Sequence, residues 1–456
     1  MAGSAARSGV WHRRVWALAF PIILSNISVP LLGAVDTAVV GHLSDAYFLG
    51  AVAIGAMLFN FLYWGVGFLR MATTGLVAQA QGADDADEVR SVVGRALLIG
   101  AVIAAVFLAA QAPVAWAAFA IVDASPEVEE LARSYFQIRI FAAPATLANY
   151  VFLGLFVGLQ NARAALIVQL WMNGLNVVLD LVFVIGLGWG VEGVALATVI
   201  SEYAALALAF GLARGMLTRL GGRFRRSDIL SVVELRAVMI LNIDIFIRSM
   251  GVVFAFAYFT VESAKMGDTI LAANAVLLNF QMFMAHGLDG FAHAAQALGG
   301  RAVGAGDRVS FRHAIRVSTL WAIVAAIGFT AAYAALGTAI IALLTGLAEV
   351  REAASALLPW VVVAPLVSVW AFQLDGIFLG ATRGRTMRNA MIISVVIYVV
   401  ACALLIPPWG NTGLWLALTL FLGVRGVTLG VRYPALERSI GAGQTASSGF
   451  ESDSVT

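Results

Sequence analysis

The sequence predicts an all-α, polytopic membrane protein of twelve transmembrane helices, and three observations carry that expectation. Of the 456 residues, 61% are hydrophobic and only 12% charged, with a mean hydropathy of +0.92; a soluble chain carries about 25% charged residues. Apolar windows of about 20 residues, the length that crosses a hydrocarbon core of about 30 Å, recur from end to end. Arginine gathers in alternate connecting segments, the pattern that keeps positive charge on the cytoplasmic side. The 45 glycines suit close helix packing in lipid, and lysine is almost absent. A single cysteine, Cys402, excludes an internal disulfide and a Cys-based metal cluster.

The first apolar stretch, Val15 to Val40, is too long for the core of a signal peptide and lacks a convincing cleavage signal, so it reads as helix 1. Helices 2 to 6 read as about 47–71, 92–120, 133–159, 165–187 and 191–213. Helices 7 to 12 read as about 232–260, 269–298, 314–342, 352–380, 389–407 and 411–431. Arg7, Arg13 and Arg14 precede helix 1, Arg90 and Arg95 follow helix 2, and Arg163 follows helix 4. Arg219, Arg223, Arg225 and Arg226 lie between the halves; Arg301, Arg308 and Arg312 follow helix 8, and Arg383, Arg385 and Arg388 follow helix 10. The opposite loops offer little beyond Arg133, Lys265 and Arg351, so both termini are expected in the cytoplasm. The basic connector is better explained by this rule than by nucleic-acid binding.

The expected organisation is therefore a cytoplasmic segment (1–14), a first lobe (15–213), the basic connector (214–231), a second lobe (232–431) and a polar tail (432–456), disordered from about Glu437 by its Ser/Gly-rich composition. The two lobes echo each other. T74-GLVAQAQG-82 parallels F291-AHAAQALG-299, L49-GAVAIGAMLFNF-61 parallels L271-AANAVLLNF-280, G158-LQNAR-163 parallels G380-ATRGR-385, and W189-GVEGVALA-197 parallels W409-GNTGLWLA-417. Four matches in one order at nearly constant spacing indicate a duplicated six-helix unit. An even number of helices per copy predicts pseudo-symmetry about an axis along the membrane normal, with a cavity between lobes, which suits alternating access. No filter of converging charges or dipoles suggests a pore.

Polar residues within the spans carry what the sequence says about mechanism. An aspartate at the bilayer centre costs about 3 kcal/mol, and Asp36 lies inside the apolar run L31-LGAVDTAVVGHL-43. A buried carboxyl of this kind can carry a proton or Na⁺; alternatively Asp36 lies near the outer end of helix 1 and reaches water. Asp180 repeats the anomaly, one turn after Asn176 and on its face, with Asn173 a further turn back. A carboxylate beside amide oxygens makes a niche for a proton or hard cation, although asparagines also hold membrane helices together. Thr198 can add a hydroxyl to the same niche. In the second half, Asp244 and Arg248 are spaced to pair along helix 7, while Gln281, His286, Asp289 and His293 on helix 8 can line a polar cavity or form a proton-sensitive cluster. Asp375 is expected to face cytoplasmic water. Phe59, Phe61, Tyr63, Trp64 and Phe68, and Phe254, Phe256, Tyr258 and Phe259, suit a cavity for flat organic cations or simply face lipid.

Other functions are less well supported. No phosphate-cradling loop ends in Lys-Ser/Thr, which argues against ATP-driven transport. An intramembrane enzyme would have to use His286, Asp289 and His293, and they form a weak metal site with no third strong ligand. A scaffold protein would not need Asp36 and Asp180.

P21-IILSNISVPLLGAVDTAVVGHL-43, F61-LYWGVGFLRMATTGLVAQAQG-82, N176-VVLD-180 and A294-AQALGG-300 together resemble the multidrug and toxic compound extrusion (MATE) family, and within it the bacterial branch named for the DNA-damage-inducible protein F. The resemblance covers about residues 12–435. It implies the MATE-type fold, with two pseudo-symmetric six-helix lobes, and a secondary antiporter of the bacterial inner membrane. Such a protein exports drugs or other organic, cationic or amphipathic compounds in exchange for H⁺ or Na⁺. It implies ion coupling at Asp36, Asn176, Asp180 and Thr198, with no cofactor beyond the coupling ion and no metal site other than Na⁺ at those residues. Small organic substrates and membrane lipids are its expected partners, with no nucleic acid and a monomer as the working unit. A lipid or metabolite transporter of the same fold is the alternative. Another branch of the family couples through acids in the C-terminal lobe, a pattern that Asp244 and Asp289 fit poorly.

Overall fold

The computed structural model describes residues 2–40, 46–120 and 124–441, all of them helical or connecting. In chain order the elements are α1 (Ala2–Val40), α2 (Ala46–Val66), α3 (Phe68–Gly82), α4 (Ala86–Ala109), α5 (Gln111–Phe119), α6 (Pro126–Arg139), a 3₁₀ turn (Ile140–Ala142) and α7 (Ala143–Gly158). Then come α8 (Ala162–Asp180), a π-helical segment (Leu181–Gly186), α9 (Gly190–Leu220), a short α10 (Arg226–Ile229), α11 (Val232–Ala264), α12 (Asp268–Gly304), α13 (Arg308–Leu344), α14 (Ala348–Gly380) and α15 (Gly384–Ser439).

Several expected helices are interrupted, for identifiable reasons. Expected helix 2 is α2 and α3, which meet around Gly67. Expected helix 3 breaks after Ala109, whose carbonyl would have been served by the missing N–H of Pro113; expected helix 4 tightens into a 3₁₀ turn at Ile140, four residues before Pro144. Expected helices 11 and 12 form α15, broken at Gly410, where φ is 54°. The helices also outrun their apolar stretches: α9 continues to Leu220 and α15 to Ser439, so Glu437 lies in a helix. Residues 442–456 of the expected tail lie outside the described residues.

Chain contacts divide the protein into two compact units. One comprises Met1–Ile23, Ala78–Asp84 and Met239–Thr456; the other comprises Leu24–Val77 and Asp85–Val238. In the first, α12 packs most extensively on α14, with α13 and α15 against them. Its core includes Phe259 edge-on to Trp415 and Phe280 edge-on to Tyr333, whose hydroxyl donates to the Phe280 carbonyl at 2.7 Å. In the second, α2, α4, α6, α7 and α9 enclose Phe59, Tyr135, Phe136 and Leu147, with the rings of Phe59 and Phe136 stacked at 5.2 Å. Phe59 and Phe259 are thus core residues, whereas Phe61, Trp64 and Phe254 are exposed.

Each unit carries its own version of one helix-packing device. In α7, Gly154 and Gly158 lie against the backbone of α3, where a Cβ would stand 2.9 Å from the Arg70 and Thr74 carbonyl oxygens respectively. In α14, Gly376 and Gly380 lie against α12, where a Cβ would come within 2.2 Å of the Ala292 oxygen and 2.4 Å of the Gln296 oxygen. Two glycines four residues apart remove the side chains that would hold two helices apart in lipid, where close van der Waals contact takes over from the hydrophobic effect. Turns repeat as well. Asp84 and Gly306 both take positive φ, as do Gln160 and Thr382. Asp85 and Asp307 both cap a helix, accepting from the Glu88 and Ser310 backbone N–H groups at 2.8 and 2.9 Å.

The two hydrogen bonds from Ser310 hold the Asp307 carboxyl below the usual carboxylate range. Its contribution to stability is therefore complete above the ordinary aspartate range and fades as pH falls through the lowered value. Asp307→Ala should cost about 1 kcal/mol, read as a lowered thermal midpoint in detergent near neutral pH. An unchanged midpoint would show that the cap does not matter.

Candidate functional site

Of the residues expected to couple ions, Asn176 and Asp180 lie on α8 and Thr198 on α9. Asp180 ends α8 and is 0% exposed; Asn176, one turn earlier, is 3% exposed. The Asn176 amide reaches across to the Thr198 hydroxyl of α9 at 3.5 Å, the outer limit of a hydrogen bond, while Thr198 donates to the Val194 carbonyl at 3.1 Å. Asn173 is also buried, donating to the Ser28 hydroxyl of α1 at 2.9 Å and accepting from Gln169 at 3.0 Å. Asn173 therefore ties α8 to α1. Asp36 falls two turns beyond Ser28 in α1, and its side chain lies outside what the structure describes.

The backbone after Asp180 is irregular. Leu181–Gly186 winds as a π-helix, closed by the Leu187 N–H on the Val182 carbonyl at 2.9 Å. Single π-turns of this kind occur often at functional positions. Gly188 and Gly190 then adopt φ of 70° and 57°, values open to glycine at little cost, and reverse the chain into α9. The rings of Phe183 and Trp189 stack across this reversal at 5.0 Å.

In the C-terminal unit the ion pairs differ from those expected. Asp244 and Arg248 do not pair with each other. Asp244 accepts from Arg388 of α15 at 2.6 Å, and Arg248 pairs with Asp375 of α14. Arg425 of α15 donates to the same Asp375 oxygen at 2.5 Å. Asp375 is 6% exposed, so it does not face cytoplasmic water; burial in a three-residue cluster replaces the expected surface position. An i,i+4 pair on one helix face gains only a few tenths of a kcal/mol, and partners on neighbouring helices have displaced it.

The helix 8 residues fall on α12. Gln281 is buried. The His286 ring bonds its own helix through the Met282 carbonyl at 2.6 Å, and His293 bonds Gln296 at 3.1 Å. Asp289 lies within electrostatic reach of Arg425. Among the described residues, no three His, Cys, Asp or Glu side chains are grouped to hold a metal ion.

Glu202 in A197-TVISEYAALALAF-210 meets the same criterion as Asp36, an acid in an apolar run, yet it is absent from the residues singled out by sequence. Its carboxylate accepts from Asn149 of α7 at 2.8 Å.

A polytopic α-helical bundle with acids, amides and hydroxyls inside its spans is the construction of a membrane transporter. The MatE family model matches residues 21–182 and 245–404. The chain therefore belongs to the MATE family. It is 42% identical over 418 residues to DNA damage-inducible protein F of Escherichia coli (strain K12), spanning 91% of each chain. It is 30% identical over 458 residues to the probable multidrug resistance protein NorM of Rhizobium meliloti (strain 1021), spanning 94% of each. Among solved structures, the Vibrio cholerae MATE transporter VcmN in its bent form matches with a TM-score of 0.84 at 18% identity, covering 95% of this chain and 98% of that one. A MOP superfamily transporter from Pyrococcus furiosus matches at 0.83 and 18%, covering 94% and 97%. At these identities the structural likeness is one of fold. Family membership makes the chain a secondary transporter of small organic compounds and not an enzyme.

Proposed function

We propose that this transporter is an antiporter of the bacterial inner membrane. It exports organic, cationic or amphipathic compounds, driven by entry of H⁺ or Na⁺ at Asp36, Asn176, Asp180 and Thr198. The observation that carries the reading is the full burial of Asp180 beside the Asn176–Thr198 link inside a span. A carboxyl so placed is stable only while it is neutralised by a proton, a cation or a partner. The names of the relatives in Escherichia coli and Rhizobium meliloti support a bacterial setting, and the second supports multidrug export. Both termini are assigned to the cytoplasm from the arginine pattern, and the working unit to a monomer in contact with lipid.

In the cycle, the ion enters from outside and neutralises the niche, which favours substrate release outward. Rearrangement then exposes the site to the cytoplasm, where the ion leaves and the next substrate binds. Such exchange requires ion and substrate to favour different states. H⁺ is the preferred ion because buried carboxyls take up protons, although the same carboxylate, amide and hydroxyl oxygens would also ligate Na⁺. Asn173, Asp244, Arg248, Gln281, His286, Asp289 and His293 are assigned to polar lining in their respective halves.

The test is uptake of ethidium into proteoliposomes of defined orientation, under an imposed H⁺ or Na⁺ gradient, for the wild type, Asp36→Asn and Asp180→Asn. One gradient should drive uptake, and both variants should fall to the background of empty vesicles. Full uptake by Asp180→Asn would remove the niche from the coupling path.

A further inference from the structure

The N-terminal half contains a second acid inside a span, part-buried, that the mechanism above does not use. Glu202 follows Thr198 by one turn of α9, so the two side chains share a face. The Asn149 amide of α7 donates both to the Glu202 carboxylate at 2.8 Å and to the Glu202 backbone carbonyl at 3.0 Å. Around this contact lie ionisable groups from each neighbouring helix. They are Tyr63 of α2, Arg70 of α3, Tyr135 and Arg139 of α6, and Tyr150 of α7; α8 carries Asp180. Arg139 does not close an ion pair with Glu202. Its guanidinium donates to the Tyr135 hydroxyl at 2.5 Å and lies 4.9 Å from the centre of the Phe59 ring.

Three polar atoms on residues in electrostatic reach of Glu202 are buried without a hydrogen-bond partner: the Tyr63 hydroxyl oxygen, Arg139 Nε and Asn149 Oδ1. Tyr63 is 8% exposed and Asn149 4%. Thr146, whose hydroxyl is donated to the Ala142 carbonyl at 3.1 Å, lies next to both the Tyr63 hydroxyl and the Glu202 carboxyl. Each unsatisfied buried group costs about 1–3 kcal/mol, so a network serving only to hold helices together would be expected to satisfy them.

The unused capacity has a direct chemical reading. With Glu202 ionised, Asn149 presents its NH₂ to the carboxylate, as observed. With Glu202 protonated, the carboxyl O–H needs an acceptor, and rotation of the same amide presents Oδ1. Tyr63 can donate to the ionised form or accept from the neutral one. Arg139, held on the Tyr135 hydroxyl, places a positive charge near the ionised form. The surroundings thus offer hydrogen bonds to both protonation states of one carboxyl.

We propose that Glu202 is a second proton-binding site of the N-terminal half, with Asn149, Tyr63 and Arg139 as its positioning residues. It takes one proton onto a carboxylate oxygen and returns it to water, with no other bond made or broken. Its use in coupling rests on the antiport reading above, but its titration does not.

The experiment is pH-difference infrared spectroscopy of the full-length protein in lipid, following the carbonyl stretch of protonated carboxyls. The wild type is compared with Glu202→Gln, Glu202→Asp and Asp180→Asn, each first shown to be monodisperse. Glu202→Gln keeps the shape and the Asn149 contact but cannot titrate. The expected result is loss of one titrating carboxyl band in Glu202→Gln, its return at a shifted frequency in Glu202→Asp, and a different band lost in Asp180→Asn. A Glu202→Gln spectrum identical to the wild type overturns the proposal. H⁺-driven ethidium uptake gives the link to coupling: its pH dependence should become shallower in Glu202→Gln and be retained in Glu202→Asp. An unchanged profile would exclude Glu202 from the coupling path. If the wild type shows no gradient-driven uptake, the antiport reading fails while the infrared result still decides the site.

Discussion

Gly376→Val should be among the most damaging single substitutions in the C-terminal unit. An added Cβ would stand 2.2 Å from the Ala292 carbonyl oxygen, and that oxygen belongs to a helix backbone, so no rotamer change relieves the clash. α12 and α14 would have to separate along their whole contact, which is the most extensive in the unit. Overpacking a tight interior typically costs about 1–3 kcal/mol, and a backbone clash belongs at or beyond the upper end. Little folded protein should survive detergent extraction, judged by size-exclusion profile and thermal midpoint. Gly328→Val is the control. A Cβ there has nothing within 4 Å, so this variant should behave as wild type. Similar behaviour of the two variants would mean that the glycine contact does not hold the helices together.

The second large effect is expected at Asp375. Its carboxylate is shared by Arg248 and Arg425, and Arg425 is only 4% exposed. Asp375→Ala would leave two guanidinium groups inside the unit with no acid between them. Removing one partner of a buried pair costs about 3–5 kcal/mol, much of it the penalty of the charge left behind. The thermal midpoint should therefore fall sharply. It should recover in part when Arg425→Met is added, because the double variant removes the stranded charge, a non-additivity expected of contacting residues. Equal midpoints for Asp375→Ala and wild type would show that the cluster is solvated in the membrane and structurally idle.

Much of the architecture was legible because lipid imposes simple rules. Length and apolarity mark the spans, and the repeated motifs G158-LQNAR-163 and G380-ATRGR-385 mark turns that recur in the structure at Gln160 and Thr382, while the recurring caps Asp85 and Asp307 lie outside every repeated motif. The helix breaks near Ala109 and Ile140 had a signal in Pro113 and Pro144, but Pro359 and Pro365 sit inside α14 without interrupting it. Proline alone therefore did not decide. The site was partly legible. Asn176 and Thr198 could be placed together because both lie on apolar helices near an acid. The exchange of partners among Asp244, Arg248, Asp375 and Arg388 could not be read, since spacing along one helix says nothing about which neighbour arrives. Glu202 was missed for a different reason. It follows a Ser and precedes a Tyr, and the long apolar run after it hides a single charge.

The widened turn at Leu181–Gly186 stores one residue more than an α-helix of the same length would hold. In mechanical terms it is slack, placed directly after the buried end of α8. Taking up that slack would turn the chain beyond it by about 100°, one residue's share of a 3.6-residue turn. The stacked rings of Phe183 and Trp189 would swing with it. A carboxyl beside such a joint can change its surroundings by a twist of the helix that carries it, with no need to stretch the connection to the next.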